Sequence, residues 1–161
     1  MGIGPSTKET SKHLFKDPLI DTLANDPDID FQGVVIVGTP QANDQKILVG
    51  NRVAALLSGM RTNGMILTSD GWGNSDVDFA NILQKVADKK ISVSGLKFIG
   101  KQAKFVVENE YTKGVFDMNK SDEGIETQIV GHNNASKKDA VKLLASIKIK
   151  MRNARNGETS V

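Results

Sequence analysis

The chain has 161 residues, 39% apolar and 25% charged, with a formal net charge of +2. A chain of this size forms one domain and buries about 68–70% of its unfolded surface without a disulfide or metal staple. So small a net charge, with both signs interleaved, argues against a nucleic-acid partner. The absence of cysteine excludes disulfides, thiolate catalysis, iron–sulfur ligation and Cys-based zinc sites.

The opening Met1-Gly2-Ile3-Gly4-Pro5-Ser6 has neither a basic n-region nor an apolar h-region, so no export signal is expected. A myristoylation pattern matches at Ser6 but is interrupted by Pro5. Asp17-Pro18 reads as an N-cap with proline at the first helical position, and Leu19, Ile20 and Leu23 give that helix an apolar face. Asn25-Asp26-Pro27-Asp28 ends it.

The unbroken run Val34-Val35-Ile36-Val37 predicts a strand buried on both faces, as in a parallel sheet. It leads into Gly38-Thr39-Pro40-Gln41-Ala42-Asn43. Asn43 is the expected cap of the next helix, whose apolar stripe is Val49, Val53, Leu56 and Leu57, closed by Gly59. Residues 64–68 predict a second strand, ending in Ser69-Asp70-Gly71-Trp72-Gly73-Asn74. Ser75 opens a helix with Phe79, Ile82, Leu83 and Val86 on one face. Residues 91–98 predict a third strand. Phe105-Val106-Val107, Gly114-Val115-Phe116 and Ile129-Val130 are further short strand candidates.

Ser136, with Asp139 three residues on, is a near capping box before a last helix through Leu144, Ile147 and Met151. This helix is basic, with seven Lys or Arg against one Asp over residues 137–155. That pattern suits its own dipole and the solvent better than a polyanion.

Serial strand–loop–helix units imply right-handed crossovers. The expected fold is α/β: three-layered, flavodoxin- or Rossmann-like, with a mostly parallel sheet of about four to five strands. Residues 1–152 form the domain and 153–161 a frayed tail. No apolar run approaches the ~18 residues of a membrane span, and a cytoplasmic location is expected.

In such a sheet, ligands bind outside the carboxyl ends of the strands. The candidate substrate-binding residues are therefore Thr39, Gln41 and Asn43 after the first strand, Asp70, Trp72 and Asn74 after the second, and Gln102, beside Lys101, after the third. These polar side chains, beside Gly38, Gly71, Gly73 and Gly100, suit an uncharged or zwitterionic small molecule. They are equally the residues that make tight βα turns and caps. Trp72, between two glycines, reads as an exposed platform or interface anchor. Asp70 is the best candidate functional carboxylate, although Asp is also a routine turn residue.

The sequence carries no other site motif. Gly38-Thr39-Pro40-Gln41 fits no phosphate-loop or dinucleotide fingerprint. His13 and His132 have no metal-ligand companions, so no metal site is expected. Ser69 lacks the nucleophile-elbow context. The pairs Asp76/Asp78 and Glu123/Glu126 read as ordinary solvated carboxylates. No catalytic residue is assigned.

The same loops carry a family resemblance. Gly2-Ile3-Gly4-Pro5-Ser6-Thr7-Lys8-Glu9-Thr10-Ser11 is followed by Leu14-Phe15-Lys16-Asp17-Pro18-Leu19. Then come Gly33-Val34-Val35-Ile36-Val37-Gly38-Thr39-Pro40-Gln41, Ser69-Asp70-Gly71-Trp72-Gly73-Asn74, and Asn119-Lys120-Ser121 with Glu123-Gly124-Ile125-Glu126. From about residue 2 to 151 this resembles the downstream half of the component B family of glycine, sarcosine and betaine reductases and the related D-proline reductase precursors. The resemblance implies a precursor that cleaves itself at an internal cysteine, leaving a downstream chain headed by a pyruvoyl group. That carbonyl forms a Schiff base with the substrate nitrogen, and a selenolate on a partner subunit breaks the C–N bond, as in ring opening of D-proline.

Without a cysteine the present chain is not expected to make that group. Ser6 and Ser11 lie inside the matched motif and do not replace it. The expected role is an accessory or paralogous subunit of an amino-acid reductase of the D-proline type (Stickland amino-acid reduction), with no cofactor of its own. Its partners would be the pyruvoyl-bearing chains and a selenoprotein subunit. The starting Met1 fits a free-standing paralogue. A stand-alone small-molecule-binding protein, a fragment of a catalytic component B subunit, and a homo-oligomer stay open.

Overall fold

The structure, a computed structural model, describes residues 17–69, 73–101 and 105–157. The order is α1 (Pro18–Ala24), α2 (Asn43–Gly59), β1 (Gly64–Ser69), α3 (Asn74–Ala87), β2 (Ser92–Lys97), a 3₁₀ turn (Thr112–Gly114), β3 (Phe116–Asp117), a second 3₁₀ turn (Val130–His132) and α4 (Lys137–Arg155). The fold is α/β. Its sheet, in the order β1-β2-β3, is wholly parallel. β1 and β2 pair from Gly64↔Ser92 to Ser69↔Lys97, whereas β3 adds only Leu96↔Phe116 and Lys97↔Asp117.

Local chemistry sets most helix ends. Asp17 Oδ1 accepts from the amides of Leu19 at 2.7 Å and Ile20 at 3.4 Å, with Pro18 at the first position. Helix α4 starts with a complete capping box: Ser136 Oγ accepts from Asp139 N at 3.3 Å, and Asp139 Oδ2 accepts from Ser136 N at 2.8 Å. Helix α2 does stop at Gly59, but the left-handed residue that turns the chain is Arg61, at φ 57°. The Thr62 amide then closes back on Leu57 O. Helix α4 continues through Asn153 to Arg155.

Alternating residues of β1 and β2 feed two apolar clusters on opposite faces of the sheet. Met65, Leu67 and Val93 join Val53, Leu57, Phe79, Ile82, Leu83 and Val86 of α2 and α3. Ile66 and Leu96 join Leu19, Phe98, Met118, Ala140 and Leu143. Helices α2 and α3 approach closely at Gly50, where a Cβ would lie 2.2 Å from Asn81 Nδ2. That amide donates to Lys46 O at 3.0 Å.

The sheet is narrower than the expected four to five strands: three strands occur among the described residues. Val34–Val37 is not a strand; Val34 is 61% and Ile36 92% exposed. Its β-branched run sets a local preference for extended backbone, but pairing is a non-local event that the run does not itself specify. The segment is moored at its start, where Gln32 bonds Thr62 Oγ1 and Met60 O, and then lies across a cleft from the open edge of β1. The run at 105–107 is not a strand either. Instead the Val106 amide donates to a side chain, Asp76 Oδ2, at 3.3 Å. Ile129-Val130 leads into a 3₁₀ turn, and of the 114–116 candidate only Phe116 is in a strand. The predicted α2 stripe holds for Val53 and Leu57, while Leu56 is 49% exposed.

Candidate functional site: a cleft beside two buried lysine–aspartate pairs

The residues expected at the strand ends meet only in part. Gln41 and Asn74 are brought together, with Asn74 Nδ2 donating to Gln41 Oε1 at 3.0 Å, and both are exposed. Thr39 is exposed and lines the cleft. Asn43 is exposed and is the first residue of α2, the cap position falling to Ala42, which makes no side-chain cap bond. Asp70, Trp72 and Gln102 lie outside the described residues, as do Ser6, Ser11 and His13.

The cleft measures about 590 Å³. One wall is the edge of β1 that pairs with no strand among the described residues, the other the segment containing Val34, Val35 and Val37, and its floor includes Val53, Leu57, Phe79 and Ile82. Hydroxyl and carboxylate groups gather at the end where β1 finishes: Thr39, Thr68, Ser69, Ser75 and Asp78.

Beneath this end lie four buried charges absent from the sequence-based site. Asp76 and Asp78, on the first turns of α3, are 1% and 2% exposed, and Lys46 and Lys97 are each 1% exposed. Lys97 Nζ sits 2.8 Å from Asp76 Oδ1 and over two rings, 5.2 Å from the Phe79 centroid and 6.0 Å from that of Phe105. Asp76 Oδ2 accepts from the amides of Gly73 at 3.1 Å and Val106 at 3.3 Å. Asp78 Oδ2 is bonded to Lys46 Nζ. Asp76 Oδ1, Asp78 Oδ1 and Ser75 Oγ are buried without a hydrogen-bond partner, Asp76 Oδ1 being held by the Lys97 ion pair alone.

This corrects the reading of Asp76 and Asp78 as solvated carboxylates. A signal was available. Asp78 precedes Ile82 by four and Asp76 precedes Leu83 by seven, so both extend the buried stripe of α3. Lys46 lies four and seven residues before Gly50 and Val53, and Lys97 follows Val93 and Gly95 on one face of β2.

A second polar knot shapes the neighbouring loop. Asp117, ending β3, accepts from the amides of Ile99 (2.9 Å), Gly100 (2.8 Å) and Asn119 (2.9 Å). Gly100 is at φ 56°, and a Cβ there would lie 2.5 Å from Gly124 O. The resembling motifs at 119–121 and 123–126 therefore pack against the loop that follows β2. Among the described residues no group of three or more His, Cys, Asp or Glu is placed to hold a metal ion. His132 Nδ1 lies 3.3 Å from Thr127 Oγ1. The sequence contains no cysteine.

Two comparisons give this geometry a lineage. Residues 2–103 match the family described as glycine/sarcosine/betaine reductase component B subunits. Over 146 residues, 91% of the chain, the sequence is 39% identical to the D-proline reductase proprotein PrdA of Acetoanaerobium sticklandii. The chain spans less than a quarter, 23%, of that relative's length. No solved structure matches. Since the family match covers more than half the residues, the chain belongs to the glycine/sarcosine/betaine reductase component B family.

Proposed function

We propose that the chain is an accessory subunit of an amino-acid reductase of the D-proline type, assisting reduction without a pyruvoyl group of its own. The reading is supported by one conjunction: 39% identity to a D-proline reductase proprotein in a sequence with no cysteine. In the family the carbonyl arises by an N→S acyl shift, which requires a thiol, and the side chains here provide none. No reductive step is therefore assigned to these residues. Their part is to contribute the β1-side cleft and the loops at 39–43 and 119–126 to an assembly whose other chains carry the electrophile and the selenolate.

The partners in this reading are the pyruvoyl-bearing chains and a selenoprotein subunit, met in the cytoplasm. It is compatible with the described helices, none of which is long and apolar enough to cross a membrane. Affinity purification of the tagged chain from a proline-fermenting cell, with the retained proteins identified by mass spectrometry, tests it. Reductase subunits in fixed stoichiometry are expected, and recovery of the chain alone would contradict it. The isolated chain is expected not to turn over D-proline with dithiothreitol.

A second reading, that these residues are part of a longer catalytic precursor, is favoured by their covering only 23% of the relative. The upstream reading frame decides between the two.

A further inference from the structure

Asp78 is an unfinished ion pair. Its Oδ2 is bonded to Lys46, yet Oδ1 is buried with no donor, and one turn earlier Ser75 Oγ is buried in the same condition. A buried acceptor without a donor bears its desolvation cost uncompensated. Two residues away, Asp76 Oδ2 accepts two backbone amides, while its Oδ1 faces Lys97 Nζ at 2.8 Å as an ion pair without a hydrogen bond, away from the cleft. What distinguishes Asp78 and Ser75 is that both line the cleft of about 590 Å³, within the ~300–1,000 Å³ usual for small-molecule sites. Val53, Leu57, Leu67 and Phe79 supply apolar lining.

We propose that this cleft binds a small neutral molecule with a compact apolar body and one hydroxyl or amide N–H, the donor reaching Asp78 Oδ1 and Ser75 Oγ. The charge balance selects the class. A carboxylate paired with lysine accepts hydrogen bonds only, so the ligand must donate. Lys46 already neutralises Asp78, so an added cation would meet the Lys46 ammonium at close range, and an anion would meet the carboxylate. Asp17, Asp28, Asp30 and Arg155 also line the cleft, but Val53, Leu57, Leu67 and Phe79 favour a compact hydrocarbon body for a ligand that reaches Asp78. The site stands on the cleft alone and is independent of the reductase-subunit reading.

The test is an ¹⁵N-NMR titration of the full chain with three matched probes: benzyl alcohol, benzyl methyl ether and benzylamine. Benzyl alcohol is expected to shift the amides of Ser75, Asp78 and Phe79 saturably, and to bind about five- to tenfold more tightly than the ether, the difference one hydrogen bond makes. Protonated benzylamine is expected to be weakest. Ser75→Ala, which removes only a hydroxyl, is expected to stay folded and to narrow the alcohol-to-ether ratio. Absence of saturable shifts, or equal binding of alcohol and ether, would overturn the proposal by showing that the orphaned oxygens are served by water. An unchanged ratio in Ser75→Ala would remove Ser75 from the site.

Discussion

Two lysine–aspartate pairs sit two residues apart on the first turns of α3, equally buried and differently surrounded. Lys97–Asp76 lies away from the cleft: strand β2 supplies the lysine, two backbone amides cover one carboxylate oxygen, and Phe79 and Phe105 flank the ammonium. Lys46–Asp78 ties α2 to α3 and leaves one carboxylate oxygen unserved beside a cleft. Identical charges at identical depth thus do different work. The first pair fastens β2 and the 105–107 segment to α3, and the second borders an open site. Burial alone says little about the role of an ion pair; what the pair borders says more.

The comparison can be broken by removing one lysine at a time. Lys97→Met strands the Asp76 carboxylate in a closed environment and is expected to cost about 3–5 kcal/mol in urea denaturation. Lys46→Met is expected to cost less, about 2–3 kcal/mol, because Asp78 lines the cleft and a small side-chain rotation would expose its carboxylate to water there. Equal losses would mean that the two environments do not differ. Gly50→Ala sharpens the same point: the new Cβ would displace the Asn81 amide from Lys46 O. It is expected to cost about 1–2 kcal/mol by strain and one lost hydrogen bond.

Smaller effects are expected at the exposed pairs. Ser136→Ala removes the α4 cap, about 1 kcal/mol. Burial pushes the Asp139 pKa up, but hydrogen bonds from Ser136 and Lys120 outweigh it and hold the carboxyl below 3.8. The hydrogen bond from Lys148 likewise lowers Asp26. Both carboxylates have lowered folded pKa values, so their stabilisation is present above about pH 4 and is lost as pH falls through those values. The hydrogen bonds that Lys148 donates to Asp28 and Asp26 raise its pKa above 10.5. Its contribution is present below about pH 10.5 and is lost as pH rises through the raised value. Urea midpoints measured from pH 2 to 11 check both limbs, and Ser136→Ala is expected to flatten the acid one.

Elements fixed by local chemistry were legible in the sequence. Asp17-Pro18 and Ser136 with Asp139 announce their helices through side chains that bond the backbone within one turn, and β1 and β2 follow from short apolar runs between helices. The expected first strand was misread because Val34-Val35-Ile36-Val37 reports only a preference for extended backbone, while its pairing depends on partners far along the chain. At the site, Gln41 and Asn74 meet even though no strand among the described residues precedes Gln41, whereas Lys46, Asp76, Asp78 and Lys97 went unseen because charged residue types were read as solvated. Their positions on the buried stripes carried the opposite message, and position was the better guide.

The central functional claim is that this member of the component B family contributes a subunit without contributing the reactive carbonyl. Intact mass spectrometry of the chain recovered from its native cell, before and after treatment with a hydrazide reagent, tests it most directly. A mass that hydrazide leaves unchanged is expected; a carbonyl adduct on the chain's first residue would contradict the account.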